Sequence, residues 1–209
     1  EKAVRRSDLC VLVIDLAAGI TSQDRKIAQM ILEEKKPCLI VLNKFDLYKP
    51  GPDHKGRIAE ATAHVKRELF FLHYAPFVIC SAKTGSAVDY VLKEALKIRK
   101  GAQKVPGTGQ LNRILQDAFT ANPPPLDSRL KKRLKLYYAT AATDEKYSVI
   151  PVPTIVLFVN DKRLMTTSYE AYVTNHYRKA HPAPGIPVIF SVRSRSRREW
   201  EPRKKPQGH

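Results

Sequence analysis

Two short polar runs follow apolar ones in this chain: Asn43-Lys44-Phe45-Asp46 comes after Cys38–Leu42, and Ser81-Ala82-Lys83 after Phe77–Cys80. A carboxylate such as Asp46 accepts two parallel hydrogen bonds with charge-assisted strength. Guanine offers that pair on one edge, N1–H beside the N2 amino group. Adenine has a lone pair at N1 and no amino group there, so it meets repulsion and leaves buried polar groups unpaired. The aliphatic stem of Lys44 can cover one face of a purine while its ammonium remains near the ribose and loop carbonyls, and Lys83 can cover the other. The backbone amide of Ala82 can donate to guanine O6, with Ser81 bracing its loop. Asn43 is suited to tying the loop to neighbouring backbone and to reaching N7. None of these residues activates water. Either run alone is a common polar turn; together, each closing an apolar strand with one helical crossover between them, they point to binding of GTP or GDP.

The elements that must hold these loops alternate regularly. Leu9–Asp15 reads as a central strand covered on both faces, and Gln23–Glu34 as a helix capped by Thr21 or Ser22. Cys38–Leu42 is a second buried strand. A Pro- and Gly-bearing loop leads to a helix from Arg57 to about Leu72, then to the strand Phe77–Cys80 and a helix from about Val88 to Lys100. The order describes a doubly wound α/β layer with parallel strands, whose ligands sit at the strands' carboxyl ends. Because Glu1–Asp8 lead straight into a central strand, the natural domain is expected to start upstream of residue 1.

No Gly-x-x-x-x-Gly-Lys-Ser/Thr run occurs in the sequence and no Asp-x-x-Gly run precedes Asn43, so nothing in it is marked to cradle phosphates or sense a γ-phosphate. Base contacts alone fix identity, and the residues written here are not expected to hydrolyse GTP. Asp15, at a strand end, invites a magnesium role; anchoring its own loop is the simpler expectation. The six histidines and three cysteines show no metal-ligand spacing, and no catalytic residue is assigned.

After a linker the rhythm changes. Gln110–Thr120 carries an apolar stripe of Leu111, Ile114, Leu115, Ala118 and Phe119, stopped by Pro123-Pro124-Pro125. Arg133–Thr140 and Thr154–Val159 read as strands, Ser168–Lys179 as a helix with Tyr169, Tyr172, Val173 and Tyr177 inward, and Val188–Val192 as a last strand. This αββαβ order suits a three-stranded sheet with helices on one face. The chain thus divides into residues 1–103, residues 104–192 and a basic tail, 193–209, expected to be disordered when unbound.

Charge separates the halves. Residues 1–100 hold 18 basic and 12 acidic side chains, residues 101–209 hold 19 and 8, and the whole chain is +17. The second half therefore has the stronger claim on a polyanion. Lys131, Lys132, Arg133 and Lys135, with Arg193, Arg195, Arg197 and Arg198 in the tail, are the candidate RNA contacts; for the tail, solubility alone is the competing role. Cys10, Cys38 and Cys80 sit in or beside apolar strands, as core thiols of a reducing compartment do. No apolar run approaches the length of a membrane span and no leader sequence is visible, so a cytoplasmic protein without membrane contact is expected.

The order of Arg6-Ser7-Asp8, Val11–Asp15, the Gly19-Ile20-Thr21-x-Gln23-Asp24 turn, Asn43-Lys44-Phe45-Asp46 and Ser81–Gly85 resembles the second G domain of the bacterial tandem-G-domain GTPase family of Der, also called EngA. Leu111-Asn112-Arg113, the triple proline, Leu134–Thr140, Phe158-Val159-Asn160-Asp161 and Gly185-Ile186-Pro187-Val188 resemble the KH-like domain that follows it. The resemblance implies a partial P-loop GTPase-type sheet, then a small α+β KH-like domain. It implies a GTP hydrolase, with Mg2+ held through elements upstream, that acts in assembly of the large ribosomal subunit. The implied partners are that subunit with its rRNA and an upstream G domain of the same polypeptide, in a monomer. A degenerate G domain kept as a non-enzymatic RNA- or ribosome-binding scaffold is the alternative; an ATP-dependent module conflicts with Asp46. The Gly-x-x-Gly loop by which KH domains grip single strands is missing between Gly109 and Val192, so a docking surface is expected in place of strand recognition.

Overall fold

The structure, a computed structural model, describes residues 2–142 and 149–195. Of these, 2–104, 149–152 and 183–187 form one compact unit, and 105–142, 153–182 and 188–195 a second.

In the first unit, α1 (Lys2–Arg6) leads into β1 (Cys10–Asp15), followed by α2 (Ser22–Glu33), β2 (Cys38–Asn43), α3 (His54–Glu68), β3 (Phe77–Ile79) and α4 (Val88–Ala102). The strands run parallel in the order β1-β2-β3, so β2 is central. All of its residues from Cys38 to Leu42 are buried, the pattern expected of a strand covered on both faces. β1 departs from expectation. It lies at the edge of the described sheet, where Val11 and Val13 remain 43% and 56% exposed while Cys10, Leu12 and Ile14 face the core. Among the described residues only one face of β1 is packed.

Local chemistry sets the helix starts. Thr21 and Asp24 form a reciprocal capping box at α2. The α3 helix begins three residues before the expected Arg57, because Asp53 caps it by accepting from the Gly56 amide at 2.8 Å. A Cβ on Gly56 would come within 2.0 Å of Asp53 Oδ2, so glycine is what lets the cap close. The helix ends at Glu68, and Phe70–Leu72 form a 3-10 turn. Beside the sheet, Gly185 donates to the Tyr74 carbonyl at 2.7 Å and accepts from the Cys38 amide at 2.9 Å.

In the second unit, α5 (Thr108–Ala121) and α6 (Thr167–Ala180) pack with β4 (Leu136–Ala142), β5 (Thr154–Val159) and β6 (Ile189–Ser194). The β4–β5 pair is antiparallel and the β5–β6 pair parallel. Leu111, Ile114, Leu115 and Ala118 of the expected α5 stripe are buried and Phe119 is half-buried beside them, and Tyr169, Val173 and Tyr177 face the same core. The hydroxyls of Tyr169 and Tyr172 donate to the carbonyls of Asn122 and Ala118, both at 2.9 Å. Tyr169 is therefore a core residue and Tyr172 packs half-buried against the core, each with a satisfied polar tip. The β4 strand begins at Leu136 and not at Arg133. Residues before it are held in a loop by Asn160, which donates to the Arg133 carbonyl and accepts from the Lys135 amide, each at 2.8 Å.

Candidate functional site

β2 and β3 are neighbours, so the loops leaving their carboxyl ends meet. The Phe45 amide donates to the Cys80 carbonyl at 3.1 Å, extending the ladder past the strands. Ser81, 2% exposed, donates its hydroxyl to Asp46 Oδ1 at 2.6 Å and accepts from the Thr84 amide at 3.2 Å. A buried hydroxyl with both roles filled fixes one carboxylate oxygen and orients the other. Among the described residues nothing donates a hydrogen bond to that second oxygen of Asp46. A cleft of about 190 Å3 borders Asp46 and Ser81, with Arg57 and Thr84 among its walls.

Asn43 ties the loops together as anticipated: its Oδ1 accepts from the Ala82 amide at 2.9 Å. The same bond changes the reading of Ala82, whose amide was expected to face a base carbonyl. A backbone donor at a loop rim takes the nearest acceptor, and that acceptor is the Asn43 side chain.

Lys44 adopts a left-handed backbone, with φ of 63°. Its ammonium pairs with Asp15 Oδ2 at 2.6 Å. Asp15 Oδ1 meanwhile accepts from the Ala17 and Ala18 amides at 3.0 and 3.2 Å, so it anchors its own loop and Lys44 together. The hydrogen bond from Lys44 holds the Asp15 carboxyl below its usual range, and the same bond pushes the Lys44 ammonium up. Lys83 lies exposed. Neither lysine lines the Asp46 cleft.

Sequence reading missed Arg57. Its guanidinium donates to the carbonyls of Phe45 and Tyr48 and stacks over the Phe45 ring, bracing the segment that carries Lys44 and Asp46. A lone arginine in the first turn of a helix gives no signal in a sequence.

In the second unit, Lys131, Lys132, Arg133, Lys135 and Arg195 border one groove. Arg193 is exposed near the end of β6 and does not line it. Arg197 and Arg198 lie outside the described residues.

Residues 1–119 match the family described as the Elongation factor Tu GTP binding domain, and residues 106–193 match the KH-domain-like C-terminal domain of EngA bacterial GTPase enzymes. The GTPase Der of Akkermansia muciniphila is 56% identical over 199 residues, covering 95% of this chain and 43% of that protein. The chain belongs to the Der (EngA) GTPase family. Another Der, from Alkaliphilus oremlandii, is 39% identical over 94% of the chain and 42% of its own length. The chain thus spans less than half the length of the Der proteins it matches. A solved structure of Aquifex aeolicus Era bound to GDP and AlF4− has a TM-score of 0.39 and 16% identity, covering 92% of this chain and 67% of that one. At that score the likeness adds nothing to what the sequence relatives show.

The fold is α/β, with a P-loop GTPase-type parallel sheet and a KH-like domain, and the first unit is of a GTP-binding family. Magnesium, which the Der family implies, does not fit the residues present. No group of three His, Cys, Asp or Glu side chains gathers among the described residues, and Asp15 is already committed to Lys44 and two amides.

Proposed function

We propose that this chain supplies guanine recognition and RNA docking to a cytoplasmic GTPase that acts in assembly of the large ribosomal subunit. The observation that carries the guanine half is the pairing of Ser81 with one oxygen of Asp46, which leaves the other oriented and open. An approaching guanine edge presents N1–H and the N2 amino group to that carboxylate. Asn43, Lys44, Ala82 and Lys83 complete the site: Asn43 holds the second loop, the lysine stems flank the base, and the Ala82 amide passes from Asn43 to the base carbonyl. Hydrolysis belongs to the whole protein and draws on its phosphate-binding elements and Mg2+, and no step of it is derived from the side chains described here. For the docking half, Lys131, Lys132, Arg133 and Lys135, with Arg193, Arg195, Arg197 and Arg198, supply phosphate contacts on rRNA.

A second reading, a degenerate G domain kept as a non-enzymatic ribosome-binding scaffold, is favoured by one observation: the Ala82 amide is already spent on Asn43. Titration of the whole protein and its Asp46→Asn variant with labelled GDP and XDP separates the two, since this chain by itself, without phosphate contacts, binds weakly in either reading. Recognition through Asp46 gives tight GDP binding in the parent and a switch toward XDP in the variant, because xanthine carries a carbonyl where guanine carries its amino group. Equal weakening toward both nucleotides removes Asp46 from the base edge, and absence of GDP binding in the parent leaves the scaffold.

A further inference from the structure

The described part of the second unit carries a cationic groove of about 540 Å3, bordered by Lys131, Lys132, Arg133, Lys135 and Arg195, with Tyr137 and Asn160 in its lining and no acidic residue. It lies at one end of the three-stranded sheet, where the chain enters β4, leaves β5 and leaves β6. All five cations are exposed, and none forms an ion pair with a described residue. Of the two nearby acids, Asp161 is taken by Arg163 at 2.6 Å and Asp127 by the amides of its own loop.

This is a held arrangement. Asp127 turns the loop, accepting at Oδ1 from the Arg129 and Leu130 amides at 2.9 and 2.7 Å. Lys131 takes a left-handed φ of 51°. Asn160 fixes the backbone on both sides of Leu134, and Arg133 donates to the Pro124 carbonyl at 3.1 Å. On the opposite rim, the Arg195 amide donates to the Val159 carbonyl at 2.8 Å, and its guanidinium rests 4.4 Å from the centre of the Phe158 ring. A stacked guanidinium is planar and pre-oriented, so it loses little freedom when it takes an anion.

We infer that this sheet-end groove binds the phosphodiester backbone of single-stranded RNA, with Tyr137 as an aromatic surface for a base. The inference rests on the docking role proposed above and gives it a location. It also differs from the helix-borne Gly-x-x-Gly grip, for which this chain has no sequence. Charge density argues for a nucleic acid over an acidic protein. Protein interfaces have an apolar core depleted of charge, whereas this groove offers Leu126 and Tyr137 among five cations. Such a surface gains its affinity from released counterions.

The test is fluorescence anisotropy of labelled oligouridylate with the full chain, across a salt series, with matched oligothymidylate and poly-glutamate as competitors. Variants are Lys131→Ala/Lys132→Ala and Arg195→Ala, with Lys26→Ala/Lys97→Ala as a charge-matched control in the first unit, all checked for unchanged thermal unfolding. The groove predicts a salt slope flattened by about 0.7 per cation removed, weaker binding in the groove variants alone, and RNA outcompeting poly-glutamate. Parent-like affinity and slope in the groove variants overturn the location while leaving RNA docking intact. Poly-glutamate competing as well as RNA assigns the groove to an acidic protein. A parent chain that binds no RNA overturns the docking role and the groove together.

Discussion

The Arg57 guanidinium donates to the Phe45 carbonyl at 2.8 Å while lying 4.5 Å from the centre of the Phe45 ring. It also donates through Nε to the Tyr48 carbonyl at 2.9 Å. One side chain thus ties the start of α3 to the loop between Lys44 and Asp46. Removing it leaves carbonyls that must find water and frees the loop to sample other shapes. Arg57→Ala should speed GDP dissociation about tenfold, equivalent to one charged hydrogen bond of roughly 1.5 kcal/mol. Arg57→Lys can satisfy one carbonyl but cannot fork or stack, so it should restore part of the loss. Stopped-flow release of labelled GDP from the whole protein measures both. Equal release rates in the parent and Arg57→Ala would show that the loop keeps its shape without the clamp.

Ser81 holds Asp46 Oδ1 at 2.6 Å from within the core. Ser81→Ala removes that donor and frees the carboxylate to rotate. GDP affinity should fall about tenfold, in line with a charge-assisted bond, while the preference for GDP over XDP persists because the carboxylate is still present. Competition titration reads both quantities. Loss of the base preference itself would mean that Ser81 touches the nucleotide directly.

Much of this arrangement was legible in the sequence, for physical reasons that also mark its limits. β2, with its ends at Cys38 and Asn43, and β5, Thr154–Val159, declared themselves by unbroken apolar runs bounded by polar residues. That the Asp46 and Ser81 loops come together followed from two motifs at the ends of adjacent parallel strands; the bond between those two side chains did not. The α3 start was hidden because Asp53 sits in a Pro- and Gly-rich stretch and Gly56, a poor helix residue, occupies the first turn. The left edge of β4 was misplaced because alternation in Arg133-Leu134-Lys135-Leu136 looks like strand, and the Asn160 bonds that hold it as a loop are 25 and 27 residues distant. Arg57 and the Asp15–Lys44 pair were invisible for the same reason: each partner is chosen by the tertiary fold.

Gly185 combines a positive φ of 80° with a close neighbour, since a Cβ there would stand 2.5 Å from Ile98 Cγ1. Its backbone bonds to Cys38 and Tyr74 prevent it from moving aside. Gly185→Ala should therefore destabilise by roughly 2 kcal/mol or more, from backbone strain plus overpacking. Gly56→Ala, which disrupts only the Asp53 cap, should cost about 1 kcal/mol. Urea unfolding ranks them, and a larger loss for Gly56→Ala would contradict the packing around Ile98.

Cys38 gives a pH signature. Burial, helped by nearby Cys10, pushes its thiol from an ordinary value of 9.0 up to about 12. The folded chain therefore keeps a proton that the unfolded chain releases above pH 9. This stabilisation is fully present below pH 9 and is lost as pH rises toward 12, at roughly 1.4 kcal/mol per pH unit. Lysines titrate in the same range, so the useful quantity is the difference between the parent and Cys38→Ala, in which the other groups cancel. Urea unfolding at pH 8 and 10.5 should show the parent losing about 2 kcal/mol relative to the variant. Rapid alkylation of Cys38 in the native chain at pH 9, or a parent-to-variant difference that does not change between the two pH values, would mean that the thiol ionises in place and that β2 is open to water at its first residue.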